Sequence, residues 1–393
     1  MKKRWAFMLV LLCCLFAASP ALAAQEDASR ALWEDVDELI GELDLGEMQQ
    51  LFGEAAAQGD LGWRSLRDAL QDVAENGLSD VSFSAVINAL LAGVSAQLMG
   101  NRTLFVEIVL LFITSAFLKN LRTSFGRAEV SRAAFWAVYA ALAALAAILL
   151  GGCVETARLA IEKLSAVLDA VTPVLVTLLT ALGGVTASNL MSPALAALTG
   201  GVFAAVSKVV IPAIIVSAVL AAASNLSTTV RLKRFTALIQ SGAKWFLGAA
   251  LVVFLAVSTI KGLTGAALDG VSFKAAKYTV DKMVPFVGGM LSETLDTLLS
   301  CSLIVKNAVG VVGLVLLGTL LITPLCRLAA HYFLFRLAAA LAEPFADEGS
   351  QELLTSMGDT VQLLFTAVLI CMVMAFILIT LFMGAADVSM IMR

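Results

Sequence analysis

From Arg102 to its C-terminus the chain is a succession of apolar helical runs separated by clusters of Lys and Arg, a pattern that fits lipid as the main solvent and excludes a dissolved globular fold. A hydrocarbon core of roughly 30 Å needs about 20 mostly apolar residues per helical crossing. Thr103 to Leu118, Ala133 to Cys153, Gly201 to Ala223, Trp245 to Ile260, Asn307 to Leu325 and Leu363 to Gly384 come close to that length. Composition agrees, with 60% hydrophobic and 14% charged residues and a mean hydropathy of +0.94. The expectation is an all-α, polytopic α-helical membrane protein with about six to eight membrane segments across residues 101–393.

Two regions precede that domain. Lys2, Lys3 and Arg4 lead into an apolar run from Trp5 to Ala18, and Ala21-Leu22-Ala23 offers small residues where a signal peptidase reads, so residues 1–24 are expected to be a signal peptide. Residues 25–100 then form an exported acidic helical region. It holds 15 acids, from Glu26 to Asp80, against Arg30, Arg64 and Arg67. Trp33, Leu39 and Leu43 fall on one helix face and Trp63, Leu66, Leu70 and Val73 on another. A region this short buries little surface alone, so Trp33, Leu39 and Leu43 are a candidate docking face, with a private core as the alternative.

Loop charge sets the orientation. Lys119 to Arg132 carries four bases and one acid, and Asn225 to Lys244 carries four bases and no acid, so both are expected to be cytoplasmic. Parity then requires Leu164 to Gly184, which is apolar but contains Asp169 and Pro173, to be a re-entrant or interfacial hairpin on the exported side. A similar order follows the second basic loop. Asp169 and Pro173 recur as Asp281 and Pro285, 112 positions on, and Pro212 and Pro324 share that offset. This reads as a possible parallel internal repeat of 119–224 and 231–336. The last stretches are read as an interfacial helix from Arg327 to Ala342 and a cytoplasmic loop from Glu343 to Asp359.

Irregular backbone at membrane depth is tolerated where protein or a polar cavity satisfies it, and ionisable residues there are costly. Asp169, Pro173, Asp281, Pro285, Glu293, Asp296, Glu107 and Lys208 are therefore the candidate conduit or broken-helix residues. They either line a polar pathway or sit hydrated at the exported interface. Cys153, Cys301, Cys326 and Cys371 read as buried apolar residues, with a Cys153–Cys301 bridge conceivable on the exported side. With one histidine, His331, and no phosphate loop, nucleophile elbow or Cys/His cluster, no enzyme chemistry, metal or cofactor is expected.

Specific stretches carry a resemblance. Leu118-Lys119-Asn120 leading to Ser124-Phe125, Pro173 through Gly184, Lys244-Trp245-Phe246-Leu247-Gly248, Lys274 to Lys277, Val284 through Gly289, and Lys306-Asn307 to Gly310 together resemble the stage III sporulation protein AE family. The resemblance implies an integral protein of the mother-cell membrane facing the forespore, in a secretion-like channel complex that supports late forespore gene expression. It implies partners as well: other stage III channel proteins, among them a secretion-type ATPase and ring proteins of the intermembrane space. Membrane lipid and a possible homo-oligomer complete the expected partners, with no nucleic acid. A non-conducting scaffold of the same complex and an autonomous permease or secondary transporter are the alternatives.

Overall fold

The computed structural model describes residues 26–58, 62–77, 83–100, 106–107, 110, 128–226, 232–283, 288–343 and 348–391. The signal peptide and nearly all of Thr103 to Leu118 lie outside these residues. Glu26–Glu42 (α1), Gly46–Gln58 (α2), Leu66–Asn76 (α3) and Phe83–Gly100 (α4) make up the acidic region. The larger part consists of Ala128–Ala181 (α5), Val185–Ala196 (α6), two π-helical stretches at Ala197–Phe203 and Val206–Val210, Ile211–Leu226 (α7), Lys233–Met283 (α8), Gly288–Ala342 (α9) and Glu348–Ile391 (α10). No strand occurs among the described residues. The polytopic all-α expectation holds: among the described residues five stretches are long and apolar enough to cross a membrane, Tyr139–Ala181, Ala197–Ser224, Lys233–Ile260, Leu299–Ala342 and Gly349–Ala385.

The centre is the α9–α10 hairpin with α5 laid against both helices. Close approach is enforced by glycine. A Cβ at Gly310 would stand 2.3 Å from the Met383 Cγ of α10, and one at Gly313 would stand 2.9 Å from Val171 of α5. Small residues let helix backbones approach where lipid supplies no hydrophobic drive between helices. At one end of the bundle, Arg336 of α9 pairs with Asp359 of α10 at 2.5 Å, and Lys233 of α8 pairs with Glu352 of α10. Tyr139 of α5 donates to the Ala222 carbonyl of α7 at 2.8 Å.

Several expected breaks are absent. The segment from Leu164 to Gly184 is not re-entrant up to its end, because α5 passes through Pro173 and stops only at Ala181. The turn is made by Gly183, with φ +81. Its N–H reaches the Thr180 carbonyl and that of Gly184 the Leu179 carbonyl, both at 2.9 Å, which is the Schellman pairing that glycine favours. Proline removes one N–H and crowds the carbonyl four residues back, a local loss that the packed turns on either side outweigh. Arg327 to Ala342 is likewise continuous with α9 through Pro324 rather than a separate interfacial helix. Most of the expected acidic loop is also helical, since α10 begins at Glu348.

The helix boundaries of the two proposed repeat units differ at the corner that follows α5. Pro173 lies inside α5, whereas Pro285 falls outside the described residues between α8 and α9. Moreover Leu295, the counterpart of the Gly183 corner, lies within α9.

The acidic helices pack on the membrane helices rather than forming a separate body. α1, α2, α3 and α4 all contact α9, and α2 also touches α5. A Cβ at Gly93 of α4 would stand 2.8 Å from the Cys326 sulfur. Ser65 caps α3 by accepting from the Asp68 N–H at 3.1 Å, satisfying one of the four donors a helix start leaves open.

Candidate functional site: a polar face on a membrane helix

Every fourth or third residue along the second half of α5 points away from the bundle, and apart from Leu159, Ala166 and Pro173 those residues are polar. Glu155, Glu162, Asp169, Pro173, Thr177 and Thr180 are all exposed. The three acids are seven residues apart, which places them on one helix face. Ser165 donates to the Asp169 carboxylate at 3.3 Å. Thr177 donates to the Pro173 carbonyl at 2.9 Å and Thr180 to the Val176 carbonyl at 2.7 Å. The Asp-x-x-x-Pro spacing adds an acceptor, because Pro173 deprives the Asp169 carbonyl of its ordinary helical donor.

The depth of this face follows from packing. Val171 touches α9 at Gly313, and Gly313 lies in Asn307 to Cys326, a run of 20 residues without a charge. Asp169 and Pro173, each two residues from Val171, share that apolar layer. The outward faces of α7 and of the later part of α8 are mainly aliphatic or aromatic. On α8 Trp245, Val252, Val253 and Ile260 are 76%, 65%, 61% and 66% exposed, and Val216 and Val219 project from α7. A carboxylate facing hydrocarbon at the centre of a crossing costs about 2.5–3.5 kcal/mol. The polar face of α5 is therefore unsuited to lipid and suited to water or a polar partner.

The other expected site residues distribute differently. Lys208 is exposed in the second π-helical stretch, four residues before Pro212, whose ring displaces the Lys208 carbonyl from the regular ladder. Glu107 is exposed and helical. No ion pair joins Asp169 or Lys208 to another group among the described residues. Asp281, Glu293 and Asp296 lie on helical backbone with side chains outside the described residues, and Pro285 lies outside them altogether. The structure thus brings Asp169 and Pro173 together on one face and leaves Lys208 and Glu107 on other elements.

Trp33, Leu39 and Leu43 are half-buried against the chain's own core. Ion pairs hold this region in place: Arg67 with Asp37 at 3.1 Å, and Glu54 of α2 with Lys163 of α5 at 3.3 Å, beside Glu162. The Trp63 indole donates to Asp72 at 2.7 Å, and with the Asn76 amide it holds the Asp72 carboxyl below its usual range. Cys153, Cys301, Cys326 and Cys371 are buried and none is in a disulfide.

One residue of consequence escaped reading as a site. Lys306 is fully buried in α9 and its ammonium donates to the Met383 carbonyl of α10. The neighbouring Asn307 Oδ1 is buried without a hydrogen-bond partner, and Gly310 receives the Met383 side chain. A lone lysine inside the apolar stretch Leu299–Ala342 was the available signal.

Among known proteins, the family model for stage III sporulation protein AE matches residues 64–386. Stage III sporulation protein AE of Bacillus subtilis (strain 168) is 27% identical over 318 residues, covering 81% of this chain and 80% of that protein. No solved structure matches. With the family model spanning most of the chain, including the polar face of α5 and the Lys306–Met383 contact, the chain belongs to the stage III sporulation protein AE family.

Proposed function

We propose that this sporulation protein is a membrane component of a secretion-like channel complex linking mother cell and forespore, in which the polar face of α5 forms part of the wall of the pathway. The observation that carries the reading is the exposed row Glu155, Glu162, Asp169, Pro173, Thr177 and Thr180, of which Asp169 and Pro173 share the layer of the charge-free run of α9. One helix face is only one wall, so the pathway is completed by further copies or by other stage III proteins, a secretion-type ATPase and intermembrane ring proteins among the companions. In this role the chain performs no catalysis. It supplies a hydrated surface that carries charge where lipid would forbid it, and charged rings of this kind set the field that a passing solute meets.

A scaffold that conducts nothing is the competing reading, favoured by the way α1 to α4 clamp α9 and leave a firm platform. Asp169→Asn separates the two because it keeps size and hydrogen bonding while deleting charge. The wall reading expects late forespore reporter activity to fall by at least an order of magnitude at normal protein level. Wild-type activity would leave the scaffold.

A further inference from the structure

α8 carries a second surface that the wall of a pathway does not use. Between Asn225 and Leu268 the chain has Arg231, Lys233, Arg234, Lys244 and Lys261 and no acid. Lys233 is engaged with Glu352 of α10, which fixes the start of the helix on the bundle. Arg234 and Lys244 remain exposed. Around them Phe235, Leu238 and Trp245 are 53%, 67% and 76% exposed. Past Phe246 the exposed face turns mainly aliphatic, through Val252, Val253, Val257 and Ile260.

Arg234, Leu238, Trp245 and Val252 run down the middle of this broad exposed surface, with Lys244 on one flank and Phe235, Val253 and Ile260 on the other, so the order along the helix is basic and aromatic first, then aliphatic. That is the order of a phospholipid leaflet met from its headgroups inward, with an indole at the boundary where amphipathic rings settle. An acidic protein surface would answer Arg234 and Lys244 but leave the aliphatic half uncovered. A neutral lipid would cover the aliphatic half and leave the two bases without anions. An anionic phospholipid answers both, because its phosphodiester accepts from guanidinium and ammonium while its chains lie on the valines. We propose that the Arg234–Trp245 face of α8 is a binding site for anionic phospholipid, with Arg234 and Lys244 on the headgroup and Trp245 at the level of the acyl esters.

The test uses the full chain in phosphatidylcholine nanodiscs containing phosphatidylglycerol as the minority lipid. The other four of its five tryptophans are replaced by Phe, so that Trp245 alone fluoresces. Bromine placed high on the acyl chains of either lipid quenches the indole in proportion to contact. Brominated phosphatidylglycerol is expected to be enriched at Trp245 about fivefold over its mole fraction, the effect of roughly one well-placed base. The double change Arg234→Gln and Lys244→Gln should abolish that enrichment while leaving quenching by brominated phosphatidylcholine unchanged, which shows that the helix is still inserted. Equal quenching by the two lipids in the parent chain would overturn the proposal, as would an enrichment that survives the double change. Loss of the enrichment on adding millimolar inorganic phosphate would assign the bases to a free anion and overturn it too.

Discussion

α5 and α8 are both long helices of about 50 residues, 54 and 51, and both carry stretches apolar enough to cross a membrane. They differ in what they turn outward. From Trp245 to Ile260 α8 exposes mainly aromatic rings and branched aliphatic side chains, whereas α5 from Glu155 to Thr180 exposes mainly acids, a proline and hydroxyls, with Leu159 and Ala166 among them. Inner faces of both are buried and apolar, with Leu164, Val171 and Leu175 on α5 and Leu247 and Phe254 on α8. The contrast therefore concerns what lies outside the bundle, and it assigns lipid to one helix and a polar neighbour to the other.

The largest expected effect comes from making the same change on both faces. Val253→Asp sets a carboxylate against hydrocarbon, at a cost of about 3 kcal/mol, and should strongly reduce the amount of protein in the membrane fraction. Thr177→Asp, on the polar face, should leave that amount near the parent level. Equal losses from the two changes would erase the distinction between the helices.

A second change probes the inner side, where the account requires tight packing irrespective of what faces outward. Gly310→Val drives a branched side chain into Met383, whose Cγ stands 2.3 Å from the position of even a single added carbon. Overpacking of this kind costs about 1–3 kcal/mol, so the α9–α10 hairpin should melt several degrees earlier in detergent. Gly318, with nothing within 4 Å of an added Cβ, serves as the control, and Gly318→Ala should be near neutral.

The apolar crossings were legible in the sequence because bilayer thickness imposes a length that composition alone reveals. Ala133 to Cys153, Gly201 to Ala223, Trp245 to Ile260, Asn307 to Leu325 and Leu363 to Gly384 all overlap the structural spans. Helix ends were less legible. Pro173 and Pro324 look like breaks, yet a proline removes a single bond while dozens of packed side chains hold the surrounding turns, so α5 and α9 run through them. Of the site, Asp169 and Pro173 were legible as residues that hydrocarbon disfavours. Their membership in a row with Glu155 and Glu162 was encoded in the seven-residue spacing. Which way that row faces depends on how α9 and α10 cover the opposite side of α5, and no local pattern carries that.

The smallest expected effect lies at the acidic helices that flank the polar face. The Asp72 carboxyl is held below its ordinary value of 3.8 by the Trp63 and Asn76 donors. A depressed folded value means that the contribution is complete above the ordinary value and disappears as pH falls through that value towards the folded one. Intrinsic fluorescence should therefore report loosening around Trp63 only below about pH 4. Asp72→Asn should slightly weaken the packing at neutral pH and remove this part of the acid dependence.

The central claim is that the outward face of α5 meets water while that of α8 meets lipid. Reaction of single cysteines with a charged thiosulfonate, which needs water and thiolate, measures this directly in sporulating cells permeabilised enough to admit the reagent to both sides. The four buried native thiols are replaced by Ala or Ser to clear the background. The account predicts rapid modification of Asp169→Cys and Thr177→Cys and negligible modification of Val253→Cys. Protection of all three, with the variants present at normal level and Thr177→Cys and Val253→Cys supporting sporulation, would contradict it.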